Sequence, residues 1–178
     1  MKEISIQVPY GKRAVQKEVN GKIIIEMVDE KPITERVKTF EDALREVGIK
    51  ESVEDWEKKY SNLEKDVVAY MKLCIITEAL NEGWKHGYDE YFCIVLFPFF
   101  VAYNKEMIDK MDEDKKSNLI IRPYKDSIIA IRAEGFSTNA QFCLSSASFG
   151  VKFIFKTKEL AIYAGKQFIE IWADYLLS

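Results

Sequence analysis

Between Val67 and Leu80 only Lys72, Thr77 and Glu78 are plainly polar. A helix that is apolar around most of its circumference cannot lie on a surface and must be covered on nearly every side. This stretch, read as a helix over about Asn62 to Asn81 and closed by Gly83, therefore forms the centre of a core to which other elements must contribute. A chain of 178 residues can supply such a core in one domain without disulfides or a structural metal.

The flanking segments supply both kinds of cover. At the start, Ile4, Ile6 and Val8 alternate with polar residues up to Pro9-Tyr10-Gly11 and predict a first strand. Val15 to Val19 and Lys22 to Val28 flank Asn20-Gly21, a pair suited to a two-residue hairpin loop because both positions require positive φ. Asp29-Glu30-Lys31-Pro32 breaks the pattern, which predicts a small β-hairpin element over residues 1–31 and an α+β domain over 32–178. Thr39 with Asp42, and Ser52 with Asp55, are N-terminal capping signals for two helices, the first closed by Gly48.

Beyond Trp84 the pattern turns to strands. Tyr91 to Tyr103 is rich in aromatic and β-branched residues, with Pro98 predicting a bulge or an edge position. Lys105 to Asn118 is charged and reads as a helix or an exposed loop, while Leu119–Ile121, Ser127–Arg132 and Val151–Phe155 read as strands. Thr157 caps a closing helix from about Lys158 to Leu177, on which Ala161 and Gly165 permit close approach by a neighbour. Strands and helices are grouped rather than alternating. The expected fold is α+β, an antiparallel sheet packed against two long helices with a small N-terminal β element.

The chemistry of the chain is sparse. A single histidine excludes any site built on two, and a net charge of −3 argues against a strongly basic nucleic-acid binder. Cys74, Cys93 and Cys143 are far apart and lie among apolar neighbours, so no zinc knuckle or CxxC redox pair is available. Free thiols, no signal-like start and no apolar run of membrane-spanning length point to a cytoplasmic protein that does not insert into membranes. No Walker loop, dinucleotide fingerprint or nucleophile elbow occurs, and no cofactor is expected. Counted as a calcium loop from Asp109, the acidic cluster places Asp114 at the sixth position and Ile120 at the twelfth, where Gly and Glu are required. No metal is expected there.

Two features suggest binding. The loop Gly83-Trp84-Lys85-His86-Gly87-Tyr88 follows the core helix and presents Trp84, His86 and Tyr88. With Asp89 or Glu90 to orient it, His86 is the one candidate for acid–base catalysis. From Leu119 to Lys158 there are six basic residues against Asp126 and Glu134, a net of +4. Within that half Arg122, Lys125 and Arg132, with Tyr124 for stacking, would form a polyanion-binding face if Arg122 and Arg132 share one side of the sheet.

Several patches together resemble a known family. They are Ile6-Gln7-Val8-Pro9, Thr39-Phe40-Glu41-Asp42-Ala43, Ala79-Leu80-Asn81-Glu82-Gly83-Trp84, Phe97-Pro98-Phe99-Phe100, Ser145-Ser146-Ala147-Ser148, and the stretch from Phe155 to Phe168. In that order the chain resembles uncharacterised proteins of unknown function from Bacteroidetes and Bacteroides phages or prophages. The resemblance implies an intracellular, mobile-element setting and supplies no catalytic residues. The leading expectation is a non-enzymatic binding protein whose partner is protein or nucleic acid. A small enzyme or ligand-binding protein using His86 is the alternative, and a structural homo-oligomer is a third.

Overall fold

The dipeptide Asn20-Gly21 turns the chain back on itself with φ of 52° and 70°, both positive as a two-residue hairpin loop demands. It joins β1 (Lys12–Val19) to β2 (Lys22–Asp29) in an antiparallel pair running from Lys12↔Asp29 to Val19↔Lys22. A computed structural model describes residues 5–8, 11–84, 93–141 and 153–178. Residues 5–8 are exposed and belong to no strand among the described residues, so the first predicted strand does not form over its described part. A short helix, α1 (Ile33–Arg36), follows the hairpin. The chain divides into two compact units, Met1–Arg36 and Val37–Ser178.

The second unit opens with α2 (Phe40–Glu46), α3 (Val53–Lys59) and α4 (Lys65–Leu80). The Thr39 hydroxyl accepts from the Asp42 amide while the Asp42 carboxylate accepts from the Thr39 amide, a complete capping box. Ser52 caps α3 through the Asp55 amide. Gly48, at φ 79°, follows the last turn of α2 in the left-handed conformation. On α4 the residues Ala69, Leu73, Ile76, Thr77, Ala79 and Leu80 are buried, in keeping with its central role.

The sheet has the order β3 (Cys93–Asn104), β5 (Ser127–Gln141), β4 (Ile120–Tyr124), all antiparallel. Its register shifts between Phe99 and Phe100, next to Pro98 as anticipated, and leaves Glu134 of β5 unopposed. Strand β5 runs nine residues beyond the predicted end at Arg132. Between β3 and β4 the charged segment forms two short helices, α5 (Lys105–Asp109) and α6 (Glu113–Lys116).

Two expectations are corrected. The closing helix is broken into α7 (Lys158–Gln167) and α8 (Ile169–Leu176) at Phe168, whose φ and ψ of −111° and 28° leave the helical range. The Ala164 carbonyl accepts from the Phe168 amide and also from the indole N–H of Trp172, each at 3.2 Å, so it is satisfied across the break. Residues 153–155 form no strand either. Phe153, Ile154 and Phe155 are all buried, and among the described residues the one backbone bond from this segment to β3 runs from the Phe155 amide to the Leu96 carbonyl.

Helix α7 lies across β3 and β5, α8 packs against α4 and β4, and α2 packs on α4. A Cβ built on Gly165 would stand 2.9 Å from Pro98 Cβ, so α7 meets the sheet at the contact distance that only glycine allows. Phe153, Trp172, Tyr175 and Tyr70 fill the space between α4 and α8 with ring centroids 5.2–6.3 Å apart. On the opposite side of the sheet Ile108, Leu119 and Ala130 make a smaller core with Tyr103, Met111 and Ile128. Among the described residues no helix is long and apolar enough to cross a membrane.

Candidate functional site

Strand register decides what the basic residues can do. Opposed residues of an antiparallel pair share a face, and neighbours along a strand alternate. Arg122 opposes Ile129, which places it on the face of Ile129, Ile131 and Ala133, the side covered by α7 and α8. Arg132 belongs to the other face, with Ala130, Val101 and Tyr103. The structure therefore does not bring Arg122 and Arg132 to one face of the sheet, the condition on which a shared polyanion-binding face rested.

Both guanidiniums are also engaged internally. Arg122 donates to Glu170, and to Asp174 at 3.1 Å, from β4 across to α8. Lys65 of α4 reaches the same Asp174 oxygen at 2.8 Å, so one carboxylate ties α4 and β4 to α8. The hydrogen bond to Glu170 is the leading reason that Arg122 is held above its ordinary pKa; burial opposes it and Asp174 adds to it. Arg132 donates to Glu134 and, at 3.1 Å, to the Tyr103 hydroxyl. Lys125 is exposed in the two-residue turn between β4 and β5, at a φ of 52°. Tyr124 pairs with Ser127 through the backbone. Trp84 is exposed just beyond α4, and its amide donates to the Asn81 carbonyl at 2.9 Å. His86 and Tyr88, the Ser145–Ser148 tract and Cys143 lie outside the described residues.

The acidic segment is a compensated surface. Asp109, Glu106, Asp112 and Glu113 pair with Lys105, Lys110, Lys115 and Lys116 respectively. Such exposed pairs contribute little individually.

Sequence reasoning missed a cleft. Strand β4 begins at Ile120, opposite Ile131, while β5 continues to Gln141. From Arg132 onward β5 thus has no neighbour on the β4 side among the described residues. Beside that open edge lies a cleft of about 570 Å³ lined by Ser117, Asn118, Ile120, Arg132, Ala133, Glu134, Lys166 and Ile169. A two-residue loop closes on a hydrogen-bonded pair. Alternation from Tyr124↔Ser127 then turns the amide and carbonyl of Ile131 toward β4, and those of Ala133 to the same, vacated side. The unequal lengths of the two strands, the only signal that would have revealed this edge, depend on pairing that the sequence does not display.

Compared with protein-family models, curated proteins and solved structures, the chain matches none.

Proposed function

We propose that this chain is a non-enzymatic binding protein of a phage or mobile-element setting, whose partner is a protein taken as an extended segment along the open edge of β5. The observation that carries this reading is the cleft beside Arg132–Glu134, where a strand edge, a polar floor and two cationic side chains converge. Addition of a strand to a sheet edge draws affinity from main-chain hydrogen bonds and specificity from pockets for alternate side chains. Ala133 offers the backbone groups, and Ile120 and Ile169 offer apolar contact. Lys166 and Arg132 favour a segment carrying acidic residues, although Glu134 already neutralises part of Arg132. The separation of Arg122 from Arg132 is why protein is preferred here to nucleic acid as partner. The family resemblance supports the biological setting, and a cysteine thiol at Cys74 accords with a reducing, cytoplasmic compartment.

The test is selection of displayed linear peptides on the purified full chain, followed by fluorescence anisotropy of the selected peptides. Asn118→Trp should fill the cleft and Lys166→Glu should reverse its charge, each raising Kd at least about tenfold for acidic, extended peptides. Peptides that bind both variants as well as the parent chain would remove the cleft from consideration. Salt-sensitive binding of labelled DNA or RNA, lost in Lys125→Glu, would transfer the reading to nucleic acid.

A further inference from the structure

We infer that the N-terminal hairpin is a dimerisation element: the outer edge of β2 pairs antiparallel with the β2 edge of a second copy of this chain, centred on Ile25. The two edges of the hairpin differ in kind. Strand β1 carries Lys12, Arg13 and Lys17, the cationic side chains that discourage strand addition. Strand β2 carries Ile23-Ile24-Ile25 followed by Met27 and Val28, and among the described residues no strand lies on its outer side. Ile23, Ile24 and Ile25 are 65%, 48% and 42% exposed, an open apolar row on the hairpin.

Backbone geometry selects the residues that would pair. The loop closes on Val19↔Lys22, and the ladder continues in phase to the bond from Glu30 N–H to Gly11 C=O at 3.0 Å. Even-numbered residues of β2 thus face β1, and the amides and carbonyls of Ile23, Ile25 and Met27 point outward. A two-fold axis perpendicular to the sheet preserves faces, so a symmetric antiparallel pair must oppose residues of like parity. Centred on Ile25, it sets Ile25 against Ile25 and Ile23 against Met27 of the second copy, forming about six main-chain hydrogen bonds. Ile23, Ile25 and Met27 then meet their counterparts on one face in a continuous apolar stripe.

Charge supports this register. Ile24 opposes Glu26, and Lys22, which has no ion-pair partner among the described residues, lies diagonal to Glu26 and Glu30 of the second copy on the same face. Lys17 and Arg36 pair those acids within their own copy, and Lys22 would join them. Moving the centre to Glu26 would set Glu26 against Glu26, and moving it to Ile24 would leave Val28 and Asp29 without opposite residues. A four-stranded sheet also relieves the weakness of an isolated two-stranded hairpin.

Sedimentation equilibrium of the full chain tests this, with circular dichroism checking that each exposed substitution leaves the fold intact. The parent chain should dimerise with a Kd on the order of 10–100 µM, as suits a small interface. Ile25→Lys opposes two ammonium groups and should weaken the dimer at least about tenfold. Ile24→Gln removes apolar surface on the other face without setting a second ammonium against Lys17 of its own hairpin, and should retain the dimer. A monomeric parent at several hundred micromolar overturns the inference. Equal loss in both variants also overturns it, since that would mean apolar adhesion without strand register.

Discussion

The side-chain amide of Asn81 holds the backbone at Ile154: Nδ2 donates to the Ile154 carbonyl at 2.7 Å, while Oδ1 accepts from the Lys156 amide at 3.0 Å. Asn81 is 5% exposed and ends α4, so a single residue joins the core helix to the segment entering α7. Asn81→Ala removes both bonds and strands a buried carbonyl and a half-buried amide. The expected loss is about 2–4 kcal/mol, since each buried group left unpaired costs roughly 1–3 kcal/mol. Urea unfolding followed by tryptophan fluorescence reads it as a lower midpoint at unchanged slope.

Gly165 stands where two effects of substitution oppose each other. Alanine in the middle of α7 gains about 1 kcal/mol in helix propensity. Its Cβ, however, would lie 2.9 Å from Pro98 Cβ and 3.6 Å from Ala133 Cβ and Phe100 Cζ. The Pro98 atom is part of a ring fixed in β3 and cannot rotate away, and overpacking of this kind costs about 1–3 kcal/mol. Gly165→Ala should therefore lower the thermal midpoint. A midpoint equal to the parent's or higher would mean that α7 can move off the sheet.

Local signals were legible in the sequence, and those that depend on distant partners were not. The caps at Thr39, Ser52 and Thr157 and the Asn20-Gly21 turn each act within three or four residues, so the residue types alone identify them. The break at Phe168 is tertiary in origin. Gln167 donates to the Lys38 carbonyl and Tyr163 to that of Val37, anchoring α7, while the Trp172 indole shares the Ala164 carbonyl with the Phe168 amide. Phe153-Ile154-Phe155 resembles a strand by composition, yet the Ile154 carbonyl is held by an asparagine 73 residues away and a single bond, from the Phe155 amide to Leu96, ties the segment to β3. The candidate site divides in the same way. The basic character of Arg122, Lys125 and Arg132 is visible as charge, whereas their faces follow from a register, and the acids that neutralise Arg122 belong to α8.

Thr77 lies 4% exposed on α4, and its hydroxyl has no hydrogen-bond partner among the described residues. Valine has nearly the same shape and nothing to satisfy. Thr77→Val should stabilise the chain by about 1 kcal/mol, the lower end of the cost of a buried unpaired hydroxyl. Calorimetry would show a raised midpoint; a lowered one would mean that the hydroxyl is bonded in solution.

Arg122 offers a test of structural against binding roles. Replacing it with Met keeps the aliphatic stem and leaves Glu170 and Asp174 without their guanidinium, though Asp174 retains Lys65. Because the groups are only partly buried, a loss of about 1–2 kcal/mol is expected rather than the larger penalty of a fully buried broken pair. Peptide affinity at the β5 edge should be unchanged. A stable variant with weakened binding would show that Arg122 serves the partner instead.

The capping box makes stability depend on pH through Asp42. Burial would raise the pKa of this carboxyl, but the Thr39 hydroxyl at 2.9 Å, the Lys38 and Thr39 amides at 3.1 and 3.0 Å, and Arg45 together hold it below its ordinary 3.8. A carboxylate whose folded pKa is depressed stabilises the native state above the unfolded value, and that contribution is lost as pH falls through the folded value. Asp42→Asn keeps an oxygen for the two amides but gives up the charge at the N-terminus of α2. It should cost about 0.5–1 kcal/mol near neutrality. Measured by urea unfolding across the acid range, the gap between parent and variant should hold constant down to about pH 4–5, then narrow below 3.8 and close. A gap that persisted at the lowest pH would assign the effect to amide geometry in place of charge.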